Sequence, residues 1–68
     1  MKVSKKFKVA IKLNNEPAYQ IAQKAGVDPN VLSKIINGIV SIEPNDERVI
    51  KIGTHLGLEP YECFEMDN

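Results

Sequence analysis

The stretch QIAQKAGVDPNVLSKIING, Gln20 to Gly38, narrows the possible folds more than any other part of the chain. Ile21, Ala22 and Ala25 fall on one side of a helix that Gly26 must end, because glycine enters the left-handed backbone of a sharp turn at no steric cost. Asp28 then offers the short acceptor side chain of an N-cap, and Pro29 fits the first position of a second helix. Val31 and Leu32, then Ile35 and Ile36, give that helix its inward face, and Asn37-Gly38 stops it. The segment is therefore helix, a turn of roughly three to four residues, helix. Ala22 has to be small, because two helices joined so tightly approach closely there.

The flanking sequence predicts more helix. Ser4 is placed to cap a first helix that reaches about Asn14 and turns Phe7, Ala10 and Ile11 to the core. Pro17 suits the first turn of the next helix. After the connection Ile39 to Pro44, Asn45 caps a fourth helix whose inward residues are Val49, Ile52, Gly53 and Leu56. Asp46 and Glu47 sit at the positive end of its dipole, and Gly57 ends it. Glu59-Pro60 opens a short fifth helix that returns Tyr61 and Phe64 to the core. The expected fold class is all-α: a compact arrangement of five helices and no strands, in a single domain over residues 1–68. Residues 1–5 are expected as a basic N-terminal arm and residues 66–68 as a frayed end.

Composition narrows the class of function. An apolar fraction of 43% supports one core, yet no apolar run approaches the roughly 18 residues of a membrane span. The N-terminus lacks the apolar run of a signal peptide. Cys63 is the only cysteine, which excludes an intrachain disulfide and fits a reducing cytoplasm. The formal charge of zero conceals an uneven distribution. Residues 1–34 hold seven lysines against Glu16 and Asp28, a net +5; residues 35–68 hold Arg48 and Lys51 against seven carboxylates, a net −5. The positive half is also the half with the paired helices, as expected of a chain that meets nucleic acid there.

Two short helices locked at a steep angle stand the second one proud of the surface, with a shape that fits the major groove of DNA. The ordered set Ile21-Ala22, Gly26-Val27, Ser33, Asn37-Gly38, then Val49, Ile52-Gly53, Leu56-Gly57-Leu58 and Tyr61 to Phe64 resembles the Cro/repressor-type (lambda repressor-like) helix-turn-helix family. The resemblance covers roughly Phe7 to Phe64. It implies a sequence-specific transcriptional regulator of double-stranded DNA, at work in the cytoplasm of a bacterial or phage-infected cell, with a homodimer on DNA. It also implies roles for particular residues. Asp28, Pro29, Asn30, Ser33 and Lys34 face bases: Asn30 toward an adenine edge, Lys34 toward guanine, Pro29 toward a thymine methyl. Asn37 and the backbone N–H groups at the start of the second helix, near Ala18 and Tyr19, meet phosphates, while Lys2, Lys5 and Lys6 grip the backbone.

The sequence also departs from that pattern. Ala18 stands where many members have a glutamine that clamps a phosphate. Ile11 and Ile36 stand where several phage relatives hold a buried Arg–Glu pair, so an apolar contact is expected in its place. The loop Ile39, Val40, Ser41, Ile42, Glu43 is apolar where phage repressors often carry Lys and Arg. Three destinations stay open for it: Ile39 and Ile42 tucked into the core, Ile39, Val40 and Ile42 forming a dimer contact, or a contact with an unrelated protein partner. These departures keep a second reading in view, an antitoxin-like or anti-repressor module that binds a protein on the same fold.

Nothing in the sequence builds an active site. His55 has no Cys, Asp or Glu at zinc-ligand spacing and is expected to face solvent. Cys63 lies beside a core phenylalanine with no activating cation near it. Glu59, Glu62 and Glu65 recur every third residue as a solvated acidic face. No glycine-rich phosphate loop, nucleophile elbow or acid–base pair occurs, so no enzyme activity, metal, cofactor or small-molecule ligand is expected.

Overall fold

The computed structural model describes residues 1–66. Its order is β1 (Lys2–Val3), α1 (Lys5–Leu13), α2 (Ala18–Ala25), α3 (Pro29–Ile36), α4 (Glu47–His55), a 3₁₀ turn (Pro60–Glu62) and β2 (Phe64–Glu65). Four α-helices surround a core of Phe7, Ile11, Ile21, Leu32, Ile35, Val49 and Ile52. Phe7, Ile21 and Ala22 have no solvent exposure, as their helical spacing requires. Ile11 and Ile36 both pack on this core. Val27, in the turn between α2 and α3, is buried as well. Its N–H donates to Ala22 O (2.8 Å) across Gly26, whose φ of +80° is the left-handed value the turn needs.

The helix starts follow capping chemistry. Ser4 Oγ accepts from Phe7 N–H (3.0 Å) at the head of α1. Asp28 accepts from Asn30 N–H (2.8 Å) at the head of α3, with Pro29 at the first helical position. The fourth helix corrects the sequence expectation by one residue. Asp46, not Asn45, is the N-cap, and Asn45 takes the left-handed backbone of the preceding turn with φ +60°. The Asp46 carboxylate is better placed because it accepts from the backbone N–H groups of Arg48 (3.0 Å) and Glu43 (3.4 Å) at once.

Three further expectations are corrected at the two ends. The fifth helix is only a 3₁₀ turn, so the α-helical spacing that put Tyr61 in the core does not apply. Tyr61 is 79% exposed, and Cys63, closing the turn, takes the buried place with no exposure. Phe64 still packs against the core, but from a strand. That strand pairs antiparallel with β1, Lys2 opposite Glu65 and Val3 opposite Phe64, where no sheet was expected. Residues 1–5 are consequently not a loose arm: Val3 is buried, Ser4 N–H donates to Cys63 O (2.8 Å), and Lys5 opens α1. Of the segment expected to fray, Met66 is exposed and residues 67–68 lie outside the described residues.

Candidate nucleic-acid interface

The face of α3 opposite its buried Leu32 and Ile35 carries the residues expected to meet bases. Asn30, Ser33 and Lys34 are exposed, Asp28 is exposed at the cap, and Pro29 is half-buried. Between this face and the start of α2 runs a groove of about 320 Å³. Ala18 and Tyr19 line one wall, and Pro29, Asn30, Ser33 and Asn37 line the other, over a floor of Leu32 and Ile36. Residues from both expected contact sets thus meet in one cleft. Gln20 and Ile21 N–H donate back to Pro17 O, and among the described residues the N–H groups of Ala18 and Tyr19 have no acceptor.

The groove has its own internal bonds. Asn37 Nδ2 donates to Ser33 O (2.9 Å), so part of its amide is held by its own helix. The Asp28 carboxylate is committed to the Asn30 amide as a cap. Lys34 stands beside this groove without lining it, and among the described residues no carboxylate pairs with it.

The three N-terminal lysines do not act as a set. Lys6 is held by Glu62, whose carboxylate raises the Lys6 amine above its ordinary value by accepting its hydrogen bond. Lys5 donates only its backbone N–H, to Glu65 (3.3 Å). Lys2 borders a different groove, with Met1, Ile35 and the loop from Gly38 to Ile42. That loop splits the alternatives left open by its sequence: Ile42 is buried in the core and Ile39 is 70% exposed, with Val40 between them in exposure.

Ion pairing sharpens the uneven charge. Asp46 pairs with Arg48 (2.7 Å), Glu47 with Lys51 (3.6 Å), Glu62 with Lys6, and Glu16 with Lys24. Among the described residues, Lys2, Lys5, Lys8, Lys12 and Lys34 have no carboxylate at pairing distance. One contact behind the site was hidden by sequence separation. His55 is exposed, as expected, and its Nε2 also hydrogen-bonds Glu16 Oε1 (3.1 Å), tying α4 to the residues that lead into α2. Lys24 and then His55, by bonding this carboxylate, hold it below the usual range. Burial pushes the Cys63 thiol up, which leaves it a protonated core side chain. Among the described residues no group of side chains has metal-ligand geometry, and no helix is long and apolar enough to cross a membrane.

The sequence profile of the helix-turn-helix family matches residues 17–63, from the cap of α2 through Cys63. The chain belongs to the Cro/repressor-type helix-turn-helix family. Members of this family are DNA-binding regulators, and the match contains α2, α3 and the groove between them. No curated protein and no solved structure matched the chain. The strands and α1 fall outside the matched span.

Proposed function

We propose that the chain is a sequence-specific transcriptional regulator that reads an operator half-site with the exposed edge of α3. The observation that carries this reading is the shared cleft: Asn30 and Ser33 on α3 stand across from Ala18 and Tyr19 on α2. In that arrangement α3 enters the major groove, and the open amides at the start of α2 lie against the flanking phosphate. Asn30 pairs with an adenine edge and Lys34 with guanine O6 and N7, while Pro29 offers only apolar surface. Asp28 stays a cap that fixes the angle of the helix, and Ser33 reaches either a base or a phosphate. Asn37, Lys2 and Lys5 contribute phosphate contacts, and Lys6 does so only by leaving Glu62. Regulation follows by occupancy, with bound protein excluding or recruiting polymerase, and two copies bind a palindrome with their α3 helices about 34 Å apart.

Selection of bound sites from a random DNA pool tests the reading, followed by titration of the selected site over a salt series. A specific regulator enriches a defined site and binds it far more tightly than random DNA. Lys34→Ala then costs about 1–3 kcal/mol and relaxes preference at one or two base pairs. A pool that stays random, with equal weak binding to every sequence, would overturn the reading and leave the protein-interaction module in its place.

A further inference from the structure

The first helix carries apolar residues on two sides. Phe7 and Ile11 are buried, but Val9 is 41% and Leu13 76% exposed, one turn apart on the opposite side of α1. The 3₁₀ turn widens this stripe. Glu62 is held by Lys6 of α1, and Tyr61 beside it is 79% exposed. Tyr19 and Ile39, also exposed, line the α2–α3 cleft and the groove beside Lys2, so Val9, Leu13 and Tyr61 form a patch that operator binding does not use. We propose that this patch is a contact between two copies of the chain, in which the α1 helices cross antiparallel about a two-fold axis at Val9. The inference stands apart from the DNA-binding reading and from the loop at Ile39, and α1 lies outside the span matched by the family profile.

Two observations select a second copy as the occupant, because the patch complements itself. The first is the order of its apolar groups. Val9 is the midpoint of α1 (Lys5–Leu13), so a two-fold axis there lays the last turn of each helix on the first turn of the other. At about 1.5 Å per residue, Leu13 lies about 6 Å to one side of Val9 and Lys5 about 6 Å to the other. Leu13 then meets Tyr61 of the second copy, which stands beside the first turn on the Lys6 side. The second observation is charge. Lys12, in the last turn, is exposed and has no ion partner among the described residues. Glu65, at the first turn, accepts Lys5 N–H (3.3 Å) and has no cation at pairing distance among the described residues. The antiparallel crossing brings each Lys12 to a Glu65, whereas a parallel crossing would set Lys12 against Lys12. An apolar centre with a charged rim is the usual anatomy of a protein–protein contact. One helix of nine residues and one tyrosine per copy make a small interface, under about 1,200 Å² in total. The dimer is therefore weak, with a dissociation constant between about 1 µM and about 1 mM.

Sedimentation equilibrium of the full chain without DNA, from about 10 µM to about 1 mM, tests the contact. The wild type is expected to pass from monomer to dimer over this range. Leu13→Gln should weaken the dimer about tenfold or more and leave the melting temperature unchanged, because Leu13 is exposed in the monomer. Lys12→Glu and Glu65→Lys each set like charges opposite one another, so each variant alone stays monomeric. Their equimolar mixture should dimerise, since both Lys–Glu contacts are restored in the mixed pair. Ile39→Lys should dimerise as the wild type does. A wild type that stays monomeric throughout overturns the proposal and leaves the patch to a different partner. A mixture no more associated than its components overturns it as well. So does a dimer lost in Ile39→Lys and kept in Leu13→Gln, which would move the contact to the loop. Site selection by α3 is measured separately on DNA, and none of these outcomes bears on it.

Discussion

Gly53 in α4 lies flat against the thiol of Cys63, so close that a methyl group on its Cα would overlap the sulfur. Gly53→Ala gains about 1 kcal/mol of helix propensity and loses about 1–3 kcal/mol to overpacking. The sulfur sits on a short side chain with no solvent exposure, so it has little room to yield. A net loss of about 1 kcal/mol is expected from urea unfolding. Combining the change with Cys63→Ala makes room for the methyl group, and Gly53→Ala should then become neutral or stabilising. A double-mutant cycle with no coupling between the two sites would contradict the contact.

Asp46 governs the acid limit of the fold. Side-chain bonds from Arg48, with backbone bonds from Arg48 and Glu43, outweigh its burial and hold its carboxyl at about 2 against an ordinary 3.8. A depressed carboxylate stabilises the folded state above its unfolded value and loses that contribution as pH falls through the folded one. About 2 kcal/mol should therefore be present at pH 5 and disappear between about pH 4 and about pH 2. Asp46→Ala should remove that contribution together with the cap, and flatten the stability profile across this window. An unchanged acid limb in thermal scans of Asp46→Ala would show that other carboxylates carry it.

The N-terminus is expected to act on stability more than on DNA affinity. Val3 is 2% exposed and sits in the only strand pair among the described residues. Removing residues 1–3 gives up the burial of one valine, worth about 1.5–3 kcal/mol, and the pairing with Phe64 and Glu65. The melting temperature should drop by roughly 6–24 °C, at about 4–8 °C per kcal/mol for a domain this small. A basic arm would give the opposite result, with affinity falling and the melting temperature unchanged.

The helices were legible because each is written locally. Apolar residues recur at helical spacing, Ser4 and Asp28 supply caps, and Gly26 and Gly57 supply the left-handed stops. The exposed set Asn30, Ser33 and Lys34 was legible for the same reason, since the core face of α3 fixes the opposite one. The strand pair was not legible, because two residues carry no alternation, and their pairing depends on contacts more than 60 residues apart in sequence. Tyr61 was misplaced because a 3₁₀ turn and an α-helix put different residues inward, and three residues do not show which will form. The bond from His55 to Glu16, which braces the start of α2, joins two polar residues with no local signature.

Ile39 and Ile42 look equivalent in sequence and have opposite fates. Ile42 is 7% exposed, so Ile42→Lys would bury an unpaired charge and unfold the chain. Ile39 is 70% exposed and lines the groove that Lys2 and Val40 border, so it is free to meet a partner. If two copies meet through this loop on a palindromic site, Ile39→Lys should leave the melting temperature within experimental error while bound chains become independent. Gel shifts on a full site should then show a singly occupied band that the wild type lacks. Affinity for the second copy should fall about tenfold, equivalent to about 1.4 kcal/mol. Lys at position 39 adds a cation near DNA, so the same variant on an isolated half-site should bind equally well or slightly better. Retention of wild-type cooperativity on the full site would remove the loop from the dimer contact.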